Sequence, residues 1–239
     1  MRLRLGTLTV TRRSGFFAAL SRLQEQGKVR HIGVSNFARP TLEEALACCP
    51  DLAVNELPHN LLSRAIEWEA LPASRELGLG VIGYLALLQG VLTDLYPTLD
   101  DIPMWQRRTR HFDAKSGIRN RGSGIGDWGS GMKSAAARHA LCGEEQATRQ
   151  TLAALRAVCR ENGRTLSELA LKWAVANRDV ACSLVGSRSP SKLEANVRAV
   201  EHPLSAEMVT RLNAITDPLK ERLGRSFDYY EGPDNDRTR

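Results

Sequence analysis

Four short runs rich in β-branched residues, each followed by a helical pattern, constrain the fold of this 239-residue chain more than anything else in it. Residues 28–34, Leu52-Ala53-Val54, Gly80-Val81-Ile82-Gly83-Tyr84 and Ala181-Cys182-Ser183-Leu184-Val185 read as strands. Phe16, Phe17, Leu20 and Leu23 share one face of a helix that Gly27 ends. A second helix is opened by Pro40 and the capping box Thr41-x-x-Glu44, and a third carries Ile66 and Leu71. Leu152, Leu155 and Val158 mark a fourth, and the box Thr165-x-x-Glu168 starts a fifth that packs through Leu169 and Trp173. Two more begin at Ser189-Pro190 and at Ser205. Such alternation predicts parallel βα units, because a strand that returns parallel to its neighbour needs a crossover long enough for a helix. Gly80–Tyr84 is apolar on both faces, as a strand covered on both sides should be.

With 42% hydrophobic content the chain can bury one sizeable α/β core, so a single domain is expected over residues 1–239, with an atypical start at 1–15 and a tail at 218–239. Regularity breaks down over residues 97–143, where seven glycines, at 117, 122, 124, 126, 129, 131 and 143, accompany basic residues. A connection of that length inside a compact domain is expected to be a functional lid or to lack order. Gly122-Ser123-Gly124-Ile125-Gly126 superficially resembles a phosphate-binding loop, yet no strand pattern precedes it and no helix pattern follows.

The formal charge of +6 is scattered except at Arg107-Arg108-Thr109-Arg110-His111 and Arg237-Thr238-Arg239, and aromatic residues make up only 5%. No aromatic residues interleave with a basic stripe, which argues against nucleic acid as a partner. The five cysteines form no CxxC pair and have no histidine at ligand spacing, as expected of reduced thiols in the cytoplasm. Arg12-Arg13 interrupts the apolar start before signal-peptide length, and no later run approaches a membrane span.

The chemistry-bearing groups collect at the strand ends. The first strand runs into Gly33-Val34-Ser35-Asn36-Phe37, exposing a hydroxyl and an amide. After the second comes Asn55-Glu56-Leu57-Pro58-His59-Asn60, which presents amide and carboxylate groups beside that pair. The third ends in Tyr84-Leu85-Ala86-Leu87-Leu88-Gln89-Gly90, with an aromatic face and a run of backbone amides. The fourth leads into Gly186-Ser187-Arg188-Ser189-Pro190-Ser191-Lys192, where serine then proline marks a helix start whose free N–H groups suit an anion, flanked by two cations. Carboxyl ends of parallel strands are where α/β proteins bind ligands.

GKVRHIGVSNF, NELPHNLLSRAIE, GVIGYLALLQGVL and LVGSRSPSKLEANV together resemble the C-terminal half of an aldo-keto reductase, from about Phe16 to Asp217. The resemblance implies a partial (β/α)8 TIM barrel, about four C-terminal βα units plus the long glycine-rich loop, binding NADP(H) across its carboxyl face. By that resemblance Ser35, Asn36 and Glu56 would hold the nicotinamide carboxamide and Tyr84 would stack on the ring. Backbone near Leu85 and Leu87 would meet the pyrophosphate, Gly186 would open the last segment, Ser187, Arg188 and Lys192 would cradle the adenosine 2′-phosphate, and Asn196 would contact the adenine. Departures stand at Glu56 for a usual glutamine, His59 for tyrosine, Ala86 for proline, Ala195 for glutamate, and Asp94-Leu95 for Gly-Lys.

The family's catalytic Asp, Tyr, Lys and His belong to the first four strands, and residues 1–15 contain none of these residue types. No catalytic residue is assigned; Tyr96, Lys115 and His111 are nominal substitutes that nothing in the sequence brings near a nicotinamide. What the resemblance implies is an NADPH-dependent reductase of aldehydes or ketones, present as a fragment without its catalytic half. The alternatives are a non-catalytic NADP(H)-binding module and an interaction module whose open barrel edges pair with a complementary half-barrel or with another copy of the chain.

Overall fold

The computed structural model describes residues 10–103, 106–107, 109–112 and 143–227, the side chains from residue 15 onward. Among these residues four strands, β1 (Ile32–Ser35), β2 (Leu52–Pro58), β3 (Gly80–Tyr84) and β4 (Val180–Ser183), form one sheet in the order β1-β2-β3-β4, every neighbouring pair parallel. Seven α-helices accompany them: α1 (Val10–Glu25), α2 (Arg39–Cys48), α3 (Ala70–Glu76), α4 (Glu145–Glu161), α5 (Leu166–Ala174), α6 (Pro190–Val200) and α7 (Ala206–Leu223). None is long and apolar enough to cross a membrane. This is the expected α/β architecture of sequential βα units.

One face of the sheet carries the helices. Ile32 and Val34 of β1 pack with Phe17, Leu42 and Leu52 against α1 and α2, while Leu57, Val81 and Val180 join Ile66 and Leu71 beneath α3. The largest cluster lies among α4, α5, α7 and the segment after β3, through Leu92, Leu155, Leu166, Trp173 and Leu212. Each fully buried Leu or Ile there contributes roughly 1.5–3 kcal/mol of hydrophobic transfer free energy. The opposite face is half open. Burial alternates along β3, so Gly80, Ile82 and Tyr84 are only half-buried while Val81 and Gly83 are enclosed, a correction to the expectation of a strand covered on both sides. Gly33 on that open face needs its missing side chain, since a Cβ would come within 2.5 Å of Val54 Cγ2 and 3.1 Å of the Val54 carbonyl.

Several boundaries differ from the sequence expectation for identifiable reasons. β1 begins at Ile32 rather than at residue 28, because β2, its one strand partner among the described residues, begins at Leu52. β2 continues through Asn55–Pro58, and β4 occupies Val180–Ser183 rather than 181–185. The box Thr41-x-x-Glu44 does not cap α2: the helix starts two residues earlier after Ala38, no side chain caps it, and Thr41 is buried inside. The third helical stretch is split into a 3-10 turn (Ala65–Trp68) and α3. Caps at Thr165, Ser189 and Ser205 form as expected, each side chain accepting from the N–H three residues on. Helix α7 runs through Pro218, and Leu219, Leu223 and Phe227 are buried, so packing continues beyond Asp217.

The glycines from 117 to 131, including the segment 122–126, lie outside the described residues, as do Cys142, Lys115 and the last twelve positions. The described part of the connection after β3 is ordered. It makes a 3-10 turn at Leu99–Asp101 whose Thr98 and Asp101 side chains cap reciprocally, and it buries Leu99, Ile102 and Phe112.

Candidate cofactor site

The register sets Ser35 opposite Glu56 and Glu56 opposite Ile82, so the polar ends of β1 and β2 lie in one row on the open face. Ser35 Oγ donates to the Glu56 carbonyl at 3.0 Å, and the Asn36 N–H donates to the same oxygen at 3.0 Å. Asn36 has φ +60, a left-handed conformation that asparagine tolerates better than most residues, and it turns the chain out of β1. From β3, two strands away, the Tyr84 hydroxyl donates to Asn36 Oδ1 at 2.9 Å. The structure thus brings Ser35, Asn36, Glu56 and Tyr84 together at one mouth.

Behind that row two asparagines splice the strand ends. Asn55 is fully enclosed and mimics a strand partner for Phe37, its Nδ2 donating to the Phe37 carbonyl at 2.8 Å and its Oδ1 accepting from the Phe37 N–H at 3.4 Å. Its amide therefore serves the backbone and is not presented to a ligand, a correction to the sequence expectation. Asn60, also enclosed, accepts on Oδ1 from the N–H groups of Leu62 and Ser63, both at 2.9 Å, and donates from Nδ2 to the Leu85 carbonyl at 3.0 Å. This clasp joins the loop after β2 to the loop after β3. Its sequence signal is the ability of an asparagine to bond the amides two and three residues on, which marks a turn. The partner Leu85, 25 residues away, carries no such mark.

Beyond Tyr84 the chain is wound through Leu85 (φ +61), Leu88 (φ +43), Gln89 (φ +55) and Gly90 (φ +95), a run of left-handed residues held by Leu88 N–H to Leu85 carbonyl at 2.7 Å and Gly90 N–H to Leu87 carbonyl at 2.9 Å. Successive amides turned in this way form a concavity suited to anions. His111 fastens the connection from above: its Nε2 lies 2.9 Å from the Leu62 carbonyl and its Nδ1 2.8 Å from Thr109 Oγ1, so the neutral ring donates at Nε2 and accepts at Nδ1. Complete burial pushes the His111 pKa down to about 4. Tyr96 donates to Gln106 Oε1 at 2.8 Å. Of the three nominal substitutes for a proton donor, Tyr96 and His111 are thus structural fasteners, and Lys115 lies outside the described residues.

His59 is enclosed against Trp173, ring centroids 4.7 Å apart, with Nε2 3.6 Å from Glu67 Oε1. Burial alone would raise the Glu67 carboxyl. Contact with His59, the Arg64 guanidinium and the Lys220 ammonium outweighs it and holds the group well below the usual carboxylate range. Arg64 also donates to Thr216 and Asp217 at 2.8 Å, tying this loop to α7.

The fourth strand end is different. Gly186, Ser187, Arg188 and Lys192 are exposed, and neither cation forms an ion pair with another described residue. Ser189 Oγ accepts from the Lys192 N–H at 3.4 Å, and Asn196 Nδ2 donates to Ser187 Oγ at 3.0 Å. Ser187, Arg188, Lys192 and Asn196 therefore cluster around the start of α6, a helix of eleven residues.

A family model described as the aldo/keto reductase family matches residues 11–217. The chain is similar to an uncharacterized oxidoreductase, YrpG, of Bacillus subtilis, 29% identical over 79% of this chain and 49% of that protein. It is also similar to the L-galactose dehydrogenase of Arabidopsis thaliana, 24% identical over 84% of this chain and 53% of the relative, and to the NADH-specific methylglyoxal reductase of Escherichia coli, 26% identical over 85% and 53%. The chain spans about half the length of these curated relatives. Among solved structures, a glycerol dehydrogenase from Gluconobacter oxydans superposes with a TM-score of 0.62 at 21% identity, covering 86% of this chain and 54% of that one. That likeness makes the four-stranded sheet part of a (β/α)8 barrel.

Proposed function

Because this chain belongs to the aldo/keto reductase family, we propose that its strand ends form the cofactor-holding half of a carbonyl reductase that uses NADPH. The observation that carries the reading is the convergence of Ser35, Asn36, Glu56 and Tyr84 at one mouth, with Tyr84 bonded to Asn36 across β2. These groups fit a nicotinamide: a half-buried aromatic ring for its face, and a hydroxyl, an amide and a carboxylate for its carboxamide. When bound, the cofactor supplies hydride to the carbonyl carbon of an aldehyde or ketone. The chain's own residues orient the ring from Ser35 and Asn36 and support one of its faces with Tyr84. The wound segment at Leu85 and Leu87 meets the pyrophosphate. At the other end, the N-terminus of α6 with Gly186, Ser187, Arg188 and Lys192 receives the 2′-phosphate, and Asn196 borders the adenine.

One relative is NADH-specific by name, so the preference for NADPH rests on Arg188 and Lys192. Titration of the purified chain with NADPH is expected to give a saturable change in nicotinamide fluorescence, and no change at millimolar cofactor would overturn the reading. Replacing both Arg188 and Lys192 with Ala should weaken NADPH by about tenfold or more through lost charge-assisted bonds, with NADH nearly unaffected. Equal losses would remove the 2′-phosphate assignment.

The proton for the carbonyl oxygen would come from outside the described residues, since Tyr96 and His111 are engaged elsewhere. β1 and β4 each pair on one side only among the described residues. Their small exposed Gly33, Ala181 and Cys182 include none of the charges or prolines that blunt a free edge. A complementary half-barrel carrying the proton donor is the partner this surface suits, with self-association as the competing outcome.

A further inference from the structure

We infer that a cleft on the helical side of the sheet, walled by α3, α5 and α7, is a binding site for a small organic amine, an ammonium group carried on a compact apolar stem. It lies across the sheet from the proposed cofactor mouth and does not depend on that reading. The cleft has a volume of about 320 Å³, at the lower end of the roughly 300–1,000 Å³ typical of small-molecule sites. Leu71 and Pro72 of α3, Ala176 after α5 and Val209 of α7 form its apolar walls, with Trp173 beside them. The indole N–H of Trp173 is already spent on Asn213 Oδ1 at 2.8 Å, so the ring offers apolar contact.

The charged groups on the wall are of one sign. Glu67 and Asp179 both line the cleft, and among the described residues that line it none is cationic. Free Nδ2 groups of Asn177 and Asn213 on the same wall are neutral and do not offset the two charges. The carboxylates differ in what they have left to accept. Glu67 takes bonds from Arg64 on both oxygens and from Lys220 on Oε2, so it is saturated and contributes a negative field. Asp179 receives one side-chain bond, at 3.0 Å on Oδ2 from an Arg75 that is itself 62% exposed, and its Oδ1 has no partner among the described residues. An exposed pair of that kind holds its members weakly. Asn177 Oδ1 accepts from the Asp179 N–H at 3.0 Å, which fixes the backbone beneath this acceptor.

His59 is enclosed between two of the cleft residues, Trp173 and Glu67, and neither of its ring nitrogens is within hydrogen-bond distance of a partner among the described residues. With Nε2 toward Glu67, Nδ1 is an acceptor without a donor. The buried corner behind the cleft thus lacks a donor, and the wall in front carries an open carboxylate oxygen. An ammonium on an apolar stem complements both, because the stem covers the apolar wall while the head keeps a charge-assisted bond. An anion would meet two carboxylates, and an alcohol would lose the charge assistance.

Three compounds on one stem test the sign of the charge. Benzylamine, benzyl alcohol and benzoate would be titrated into the full chain while proton–nitrogen NMR follows the Trp173 indole and the side-chain amides of Asn177 and Asn213. Benzylamine should shift these signals saturably in the millimolar range, and the alcohol and the acid should bind at least about fivefold more weakly. Asp179→Asn keeps the shape of the side chain and removes its charge. Benzylamine should then weaken about fivefold to tenfold and lose its preference over benzyl alcohol, with the urea midpoint unchanged. The ligand series needs no variant, so it decides the question even if Asp179→Asn is unstable. Equal binding of the three compounds, tighter binding of benzoate, or no saturable shift within the solubility of benzylamine would overturn the inference. Unchanged benzylamine affinity in a folded Asp179→Asn would overturn it as well.

Discussion

At the carboxyl ends of β1, β2 and β3 the polar side chains are spent on one another, whereas beyond β4 they stand in solvent. Asn55, Asn60 and His111 are fully enclosed and join backbone segments from different loops, and the Tyr84 hydroxyl ties β3 to β1. Past β4, Leu184, Leu193 and Val197 are exposed by 39%, 54% and 55%, and Arg188 and Lys192 face water. The contrast separates two kinds of recognition within one proposed cofactor site. The end proposed for the nicotinamide is held in shape by its own hydrogen bonds and would select by geometry. The end proposed for the phosphate has a capped helix start with exposed long side chains around it, and so would attract by charge and become ordered on binding.

The sharpest way to break this comparison is to remove the clasp at the closed end. Asn60→Ala would leave the Leu62 amide without its partner inside the fold and strip one bond each from the Ser63 amide and the Leu85 carbonyl, which keep the Asn60 carbonyl and the Leu88 N–H. A loss of about 3 kcal/mol in urea denaturation is expected, in line with the cost of unsatisfied buried groups. A change below about 1 kcal/mol, the net worth of a single hydrogen bond, would show that the loops hold each other without it.

The next largest effect is a pH dependence. His111 is neutral in the fold with its pKa depressed to about 4, while the unfolded chain takes up a proton near pH 6.5. The stability tied to its neutrality is thus complete above pH 6.5 and is lost as pH falls toward 4. From this group, unfolding free energy should drop by about 2 kcal/mol between pH 7 and pH 5, and His111→Gln should remove most of that slope. The Glu67 carboxyl, held low beside Arg64 and Lys220, acts further down, below about pH 4.5. A flat profile from pH 7 to 5 would contradict the burial of His111.

The smallest effect belongs at the open end. Ser187→Ala deletes the acceptor of Asn196, a hydrogen bond as short as that from Asn60 to Leu85, but an exposed one. Stability should change by no more than about 0.5 kcal/mol. A larger loss, seen in the same denaturation series, would mean that this end too is built in advance.

The sequence made the parallel βα order and the cluster of strand-end groups legible, because β-branched runs and serine caps are local signals. Thr165, Ser189 and Ser205 cap where their spacing indicates. Thr41 has the same spacing and does not cap, since burial against the core draws it inside a helix that starts earlier. The roles of Asn55, Asn60 and His111 were not legible, because their partners Phe37, Leu85 and Leu62 lie 18, 25 and 49 residues away and are recognised through backbone atoms that every residue carries. For the same reason the sequence identified Tyr84 as a ring and not as the hydroxyl that holds Asn36.

Hydrogen exchange with and without NADPH, followed peptide by peptide, tests the account most directly. The account requires a large gain in protection over residues 186–196, where the open end becomes ordered, and a small one over 34–37 and 84–90, which are already held. Equal gains at both ends would contradict the division into a pre-formed and an induced half of the site, and no gain at either would contradict the site itself.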